Sequence, residues 1–320
     1  MPQAQRPQLV DVTTSIGCSC ACSYCPQGLL VRAYAKRRTQ SRMGFDVFQE
    51  CIKSIPSDVT IAFAGMAEPW LNPECTRMVQ WAHKTGHRVL AYTTTVGMSF
   101  EDVEALADIP SLYLLLHLPS AEGYERIAVD DSYLSVLGSL LDSGIVDHCH
   151  CYGSAVHPLI RSIGNEVRIE YERPQARAGN VQIGDASARR KRGRRRCVRN
   201  GQNLLLPNGD VLICAMDYGM KHVIGNLREQ HYESLYSSEE YLFVQKGLAD
   251  ESLDVLCRFC EHAWRANLAC RLPQWFLREL GGVHTPSDLF AIGPKFVRTS
   301  IRHLRSYSHA LARGPARPRQ

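Results

Sequence analysis

The chain has 320 residues, 45% of them hydrophobic, which is enough to bury a sizeable core as one large domain or one domain with an appendage. Its formal charge of +5 comes from two segments, because Arg189–Arg196 holds seven basic residues, Lys295–Gln320 holds seven more, and the remainder is near −9. Basic charge so localised argues against a dedicated nucleic-acid binder. No run of 18 apolar residues marks a membrane span, and MPQAQRPQLVDV lacks the apolar centre of a secretory signal, so a cytoplasmic location is expected.

Strand-like and helix-like segments alternate through the first two-thirds of the chain. Strands are expected at Leu9–Thr14, Val59–Ala64, Arg88–Thr94, Leu112–His117, Ile145–Cys151 and Glu166–Tyr171. Helices are expected at Phe45–Ile55, Glu74–Thr85, Phe100–Asp108 and Tyr133–Asp142. Asp46, Glu101 and Asp102 sit near helix starts, where negative charge complements the helix dipole. Six strands with intervening helices imply an α/β architecture with a parallel sheet coiled as an open or partial barrel.

The composition changes at SARRKRGRRR, which reads as an exposed linker with a solvated charge run. Two apolar runs flank Pro207-Asn208-Gly209-Asp210, a hairpin signal. Helical patterns follow at Tyr232–Ser237 and Glu239–Leu248. Phe296, Ile301, Leu304, Tyr307 and Leu311 outline a basic amphipathic helix, best read as a packing helix, before a polar tail.

The chain holds 13 cysteines, which in a reducing compartment point to metal or catalytic use rather than to disulfides. Cys18, Cys22 and Cys25 follow the first strand with C-x3-C-x2-C spacing, and Cys20 lies between them. Three thiolates in one short loop suit a cubane iron–sulfur cluster whose fourth iron stays open to an exogenous ligand.

With Tyr24 this loop reads C-x3-C-x-aromatic-C and resembles the hallmark of radical S-adenosylmethionine enzymes. Ala64-Gly65-Met66-Ala67-Glu68-Pro69 is similar to the family's Gly-Gly-Glu-Pro segment, which holds the methionine amino group. It departs from that segment at Ala64 and Ala67, so backbone contacts must carry more of the binding. The resemblance places Tyr24 beside the adenine and Thr93, Thr94 and Thr95 near the ribose or carboxylate. It implies a partial (β/α)6 barrel over 1–187. It also implies a [4Fe-4S] cluster that delivers one electron to S-adenosylmethionine from a flavodoxin or ferredoxin-type donor. The resulting 5′-deoxyadenosyl radical takes hydrogen from an unactivated C–H bond.

A second group is spread more widely: Cys197, then Gly209-x4-Cys214, then Cys257-Arg258-Phe259-Cys260, then Cys270. It resembles the SPASM/twitch extension, here a small hairpin-plus-helix domain over 188–280 with an auxiliary [4Fe-4S] cluster on Cys197, Cys214, Cys257 and Cys260. A basic helix and tail over 281–320 would follow. Full SPASM domains carry more cysteines, and Ala266 stands where another would be expected, so the shorter twitch type with one cluster is the expectation. Four thiolates at such spacings also suit a structural zinc ion. Cys270 has three open roles: auxiliary ligand, hydrogen donor to a substrate radical, or packing residue.

IVDHCHC alternates, so either His148 and His150 or Asp147, Cys149 and Cys151 face the barrel interior. Inward histidines could bind substrate or move protons, as could His117. Inward cysteines could donate hydrogen. Cys51 and Cys75 fall in helical patterns and are expected in the core. About eight residues precede the first strand, which lowers the expectation of a peptide maturase with an N-terminal recognition domain. The resemblance is to enzymes acting on small polar sugars, aminoglycosides or aminocyclitols. Epimerisation with Cys270 as hydrogen donor is the expected outcome, with dehydrogenation through the auxiliary cluster or peptide maturation as alternatives.

Overall fold

Short apolar runs separated by helices of 8 to 12 residues favour parallel pairing, because each crossover then has a helix to span it. The computed structural model describes residues 9–37, 40–162, 168–182, 189–197, 199 and 201–265. Cys270 and the expected helix and tail of 281–320 lie outside the described residues.

The order is β1 (Leu9–Val12), α1 (Gln27–Ala35), α2 (Phe45–Lys53), β2 (Thr60–Phe63), α3 (Cys75–Lys84) and β3 (Val89–Thr93). Then come α4 (Phe100–Ala107), β4 (Tyr113–His117), α5 (Asp131–Asp142), β5 (Val146–Tyr152) and β6 (Ile169–Glu172). All neighbours from β1 to β6 pair in parallel, giving the expected α/β partial barrel. Helix starts are capped as the sequence suggests. Ser99 and Asp102 form a capping box on α4, and Asp46 sits in the first turn of α2. The short helix α1 was not expected; it starts two residues after Cys25 and buries Leu30 and Tyr34.

Strand alternation sorts the sheet into two faces. Val10, Val12, Ile61, Phe63, Ala91, Leu114 and Leu116 pack with Phe48, Met78, Val79, Leu137 and Leu140 of the helices in one core. Cys51 and Cys75 are fully buried there, as expected. The opposite, concave face carries Asp11, Tyr92, His117, His150 and Tyr152.

The chain then returns to the other edge of the same sheet. Strand β8 (Gln202–Leu205) pairs in parallel with β1, and β9 (Asp210–Leu212) and β10 (Val223–Asn226) follow antiparallel. The nine strands run β10-β9-β8-β1-β2-β3-β4-β5-β6. The turn at Pro207–Gly209 is the predicted hairpin, with Gly209 at φ 91°. Helix α6 (Glu239–Ala249) matches its expected position, whereas Tyr232–Ser237 is a 3-10 helix.

The arginine run is not a free linker. Its last residues form β7 (Arg195–Cys197), which pairs antiparallel with β11 (Ala263–Arg265). The Lys191 backbone N–H donates to Arg258 O (2.7 Å), and the buried Arg258 guanidinium donates to Lys191 O, Gly193 O and Gly247 O. Charge patterning reports the side chains, of which Arg196 stays exposed; it is blind to the backbone pairing that orders the segment. No helix among the described residues is long and apolar enough to cross a membrane.

Candidate functional site

The loop after β1 carries Cys18, Cys22 and Cys25, all half-exposed, and is tied down at several points. Ile16 N donates to Ser41 O, Ser23 N to Tyr124 O (2.7 Å) and Arg126 N to Cys20 O (2.8 Å). Cys20 turns inward, is buried, and lies 3.5 Å from Thr94 Oγ1. The Cys18 thiol is pulled down to about 6 by a hydrogen bond from Cys20 and by backbone N–H groups of Glu68, Cys20 and Ala21. Burial pushes Cys22 up to about 12, with Cys25 and Cys18 as nearby like charges. Sequence reasoning missed two partners of Cys25: Gln27 Nε2 at 3.5 Å and the Tyr218 hydroxyl at 3.4 Å.

The segment Ala64–Pro69 meets this loop. Gly65 has φ 64°, and a Cβ there would clash with Thr13 Oγ1, so glycine is required twice over. The turn that follows buries Glu68, whose carboxylate accepts from Thr93 Oγ1 (2.7 Å), Thr94 N (2.7 Å), Thr94 Oγ1 (2.7 Å) and Trp70 N (3.4 Å). Burial pushes the Glu68 carboxyl up to about 7, against the pull of these hydrogen bonds. Pro69 opens a 3-10 turn, and its carbonyl accepts from Thr14 Oγ1 (2.8 Å). Glu68 and the threonines, read separately in the sequence, form one unit. Thr95, at φ 65°, bonds the Thr94 carbonyl (2.6 Å) and lines a cavity of about 360 Å³ with Cys20, Gly97, Arg126 and Tyr133.

Beyond the loop, the concave face holds a polar network. Tyr24 donates to Glu125 Oε1 (2.7 Å) and lies 3.1 Å from His117 Nε2. His117 Nδ1 is 2.7 Å from His150 Nε2 and 3.3 Å from the Tyr92 hydroxyl. Tyr152 packs edge-on against Tyr24 and His150, at 4.7 and 4.8 Å between ring centroids. Burial pushes the Glu125 carboxyl up, but hydrogen bonds from His117, Ser120 and Tyr24 win and hold it at about 2. Burial disfavours the charged form of the His150 imidazole, against the pull of Glu172 and Glu170. His148 sits at the edge, 3.3 Å from Glu170. Cys149 and Cys151 lie in the helix-side core, so of the two faces of IVDHCHC the histidines look inward.

The second group gathers Cys197 at the end of β7, Cys214 after β9, and Cys257 and Cys260 around a 3-10 turn. Burial raises Cys214 strongly, and Cys257, Cys260 and Cys197 add to that as like charges. Cys257 and Cys260 are raised by burial and then by Cys197. Each thiol is thus within electrostatic reach of the others. Among the described residues no three His, Cys, Asp or Glu side chains close up enough to hold a single metal ion. As a donor set, four soft thiols in an apolar setting fit an iron–sulfur cluster, whose irons offset their mutual repulsion.

The family model of the SPASM iron–sulfur cluster-binding domain matches residues 197–261. The whole fold is similar to BtrN solved in complex with AdoMet and 2-DOIA (TM-score 0.53, 16% identity, 83% of this chain and 94% of that one). It is also similar to Streptococcus suis SuiB bound to precursor peptide SuiA (0.56, 12%, 80% and 70%). A third likeness is native anSMEcpe with bound AdoMet and Cp18Cys peptide (0.57, 11%, 92% and 98%). No curated protein matches the sequence. The fold is shared with these structures, two of which hold bound AdoMet, and the part of it over residues 197–261 matches an iron–sulfur cluster-binding domain.

Proposed function

We propose that this chain cleaves S-adenosylmethionine reductively and removes hydrogen from a ring or carbinol carbon of a small polar substrate. The observation that carries the reading is the meeting of the cysteine loop with the Glu68 unit, where Glu68 N–H reaches Cys18 and Cys20 reaches Thr94. Cys18, Cys22 and Cys25 would hold an iron–sulfur cluster. Gly65, Glu68, Pro69, Thr94 and Thr95 form the wall that receives the methionine and ribose parts of the cofactor, and Tyr24 flanks the adenine. Glu68 already holds four donors, so it shapes that wall through Thr93 and Thr94. Cys197, Cys214, Cys257 and Cys260 hold the auxiliary cluster. When bound, the first cluster supplies the electron that splits the cofactor, and the auxiliary cluster supplies an acceptor for a second electron.

The polar concave face supports a polar substrate, and its bases support oxidation. A carbinol loses its carbon-bound hydrogen as an atom. Its hydroxyl proton then passes to an imidazole nitrogen of the His117–His150 pair, and one electron leaves, which closes a ketone. Burial disfavours charged His150, and an imidazole in its free-base form can accept that proton. Epimerisation is the second reading: if Cys197, Cys214, Cys257 and Cys260 suffice as auxiliary ligands, Cys270 would be spare as a hydrogen donor.

The test is anaerobic turnover with S-adenosylmethionine and dithionite, scoring 5′-deoxyadenosine. Cys18→Ala, Cys22→Ala or Cys25→Ala should abolish it, and Cys20→Ala should retain it. No cleavage by iron-replete wild-type protein would overturn the reading. With sugars and aminocyclitols in deuterated water, deuterium on a ring carbon indicates epimerisation. A two-electron-oxidised product indicates dehydrogenation, and turnover of peptides alone would redirect the substrate class.

A further inference from the structure

Two independent connections run from the second cysteine site to one cysteine of the first. Tyr218 lies four residues after Cys214, in a loop with little freedom. Asp217 N donates to Cys214 O (3.2 Å), and the buried Asp217 carboxylate accepts from Lys221 N (2.9 Å) and His222 N (2.7 Å). His222 Nε2 in turn accepts from Leu256 N (3.1 Å), next to Cys257. From this frame the buried Tyr218 reaches across the chain and sets its hydroxyl 3.4 Å from Cys25 Sγ.

Arg177 makes the second connection. Its N–H and that of Ala178 both donate to the Glu261 carboxylate (2.9 Å each), one residue after Cys260. Both residues adopt left-handed backbone, φ 49° and 55°, a conformation the Glu261 clamp holds in place. Ala178 packs with Cys214, Cys260 and Leu256. The Arg177 guanidinium points the other way, 5.9 Å from the Tyr24 ring centroid and within electrostatic reach of Tyr218 and Cys25. Among the described residues its buried Nε has no hydrogen-bond partner.

We propose that Tyr218 and Arg177 couple the two sites, setting the hydrogen bond and the positive charge felt at Cys25 from a scaffold that the second site holds in place. A hydrogen bond to a cluster thiolate and a nearby cation both favour the reduced cluster, whose net charge is more negative. Cys25 therefore presents a first cluster that is easier to reduce when Tyr218 and Arg177 are seated. The inference rests on the proposed cluster-holding roles of the two cysteine groups.

The test is a redox titration followed by electron paramagnetic resonance on anaerobically reconstituted full-length protein. Tyr218→Phe and Arg177→Gln should each move the first cluster's midpoint to more negative potential with iron content unchanged. Cofactor cleavage driven by flavodoxin should then slow, and cleavage driven by excess dithionite should recover. A Cys257→Ser/Cys260→Ser protein should show the same shift, and adding Tyr218→Phe to it should move the midpoint no further. An unchanged midpoint in the two single variants would overturn the coupling, as would iron loss from the first site in Tyr218→Phe. If wild-type protein holds both clusters but cleaves no cofactor, the proposed function fails while the midpoint comparison still decides the coupling.

Discussion

Glu68 shows how one side chain can be legible in position and opaque in role. Its place before Pro69 marks it in the sequence, but only the structure shows its oxygens taken by Thr93, Thr94 and Trp70. Glu68→Gln turns an NH2 toward donors that need an acceptor, and one unsatisfied buried donor costs about 1–3 kcal/mol. Loss of that size in chemical denaturation, together with weaker S-adenosylmethionine binding, is the expected outcome; wild-type stability would remove Glu68 from its shaping role. Asp11 makes a different prediction from the same physics. Burial pushes its carboxyl up to about 6, with Arg199 pulling the other way. The folded chain thus binds this proton more tightly than the unfolded chain does. The associated stability is present below the ordinary carboxylate value and is lost as pH rises through about 6. Between pH 5 and 7.5 the wild type should lose on the order of 1–2 kcal/mol relative to Asp11→Asn. Parallel stability profiles for the two proteins would dismiss it.

The elements of the barrel were readable because each strand is a short apolar run and each helix has a buried stripe. Expected and observed strands agree within a few residues from β1 to β6. The hairpin was equally clear, since Pro207-Asn208-Gly209 permits little else. What could not be read was where that hairpin docks: β8 lies beside β1, about 190 residues away in the chain, and no local pattern encodes that register. The same distance hid Tyr218 from Cys25. The arginine segment misled for another reason, because its order comes from carbonyls that face Arg258. Arg258 is fully buried and donates to the carbonyls of Lys191, Gly193 and Gly247. Arg258→Met keeps the bulk and strands these acceptors, so a cost of about 3–5 kcal/mol is expected. Urea unfolding and second-site iron should fall together. Unaltered iron with an unaltered midpoint would show that the segment is held by β7–β11 pairing alone.

At the scale of the molecule, one sheet carries the barrel and the hairpin, while the second cysteine site borrows from that sheet and from a separate two-stranded ribbon. Cys214 follows β9, which is anchored through β8 to β1, and Leu204 and Leu205 of β8 are fully buried. Cys197 and Cys260 border the ribbon of β7 and β11, each three residues long. A ribbon that short is not stable without a partner. The small apolar cluster of Ala178, Met216, Leu256, Cys260 and Ala263 is its main packing, and one member, Cys260, and the one neighbour packed against it, Cys214, are thiols of the site. A cluster held as proposed by the second cysteine group should therefore stabilise the ribbon far more than the hairpin, because metal-bound thiolates would tie segments that apolar burial holds only weakly. Wild-type protein should hold about eight irons and a Cys257→Ala/Cys260→Ala protein about four. Hydrogen exchange in that variant should rise across 191–197 and 256–265 and stay low across 202–212. Equal loss of protection in both regions would mean that the cluster, not the leucines of β8, holds the hairpin on the barrel. Unchanged protection in the ribbon would mean that Arg258 and Lys191 suffice to hold it.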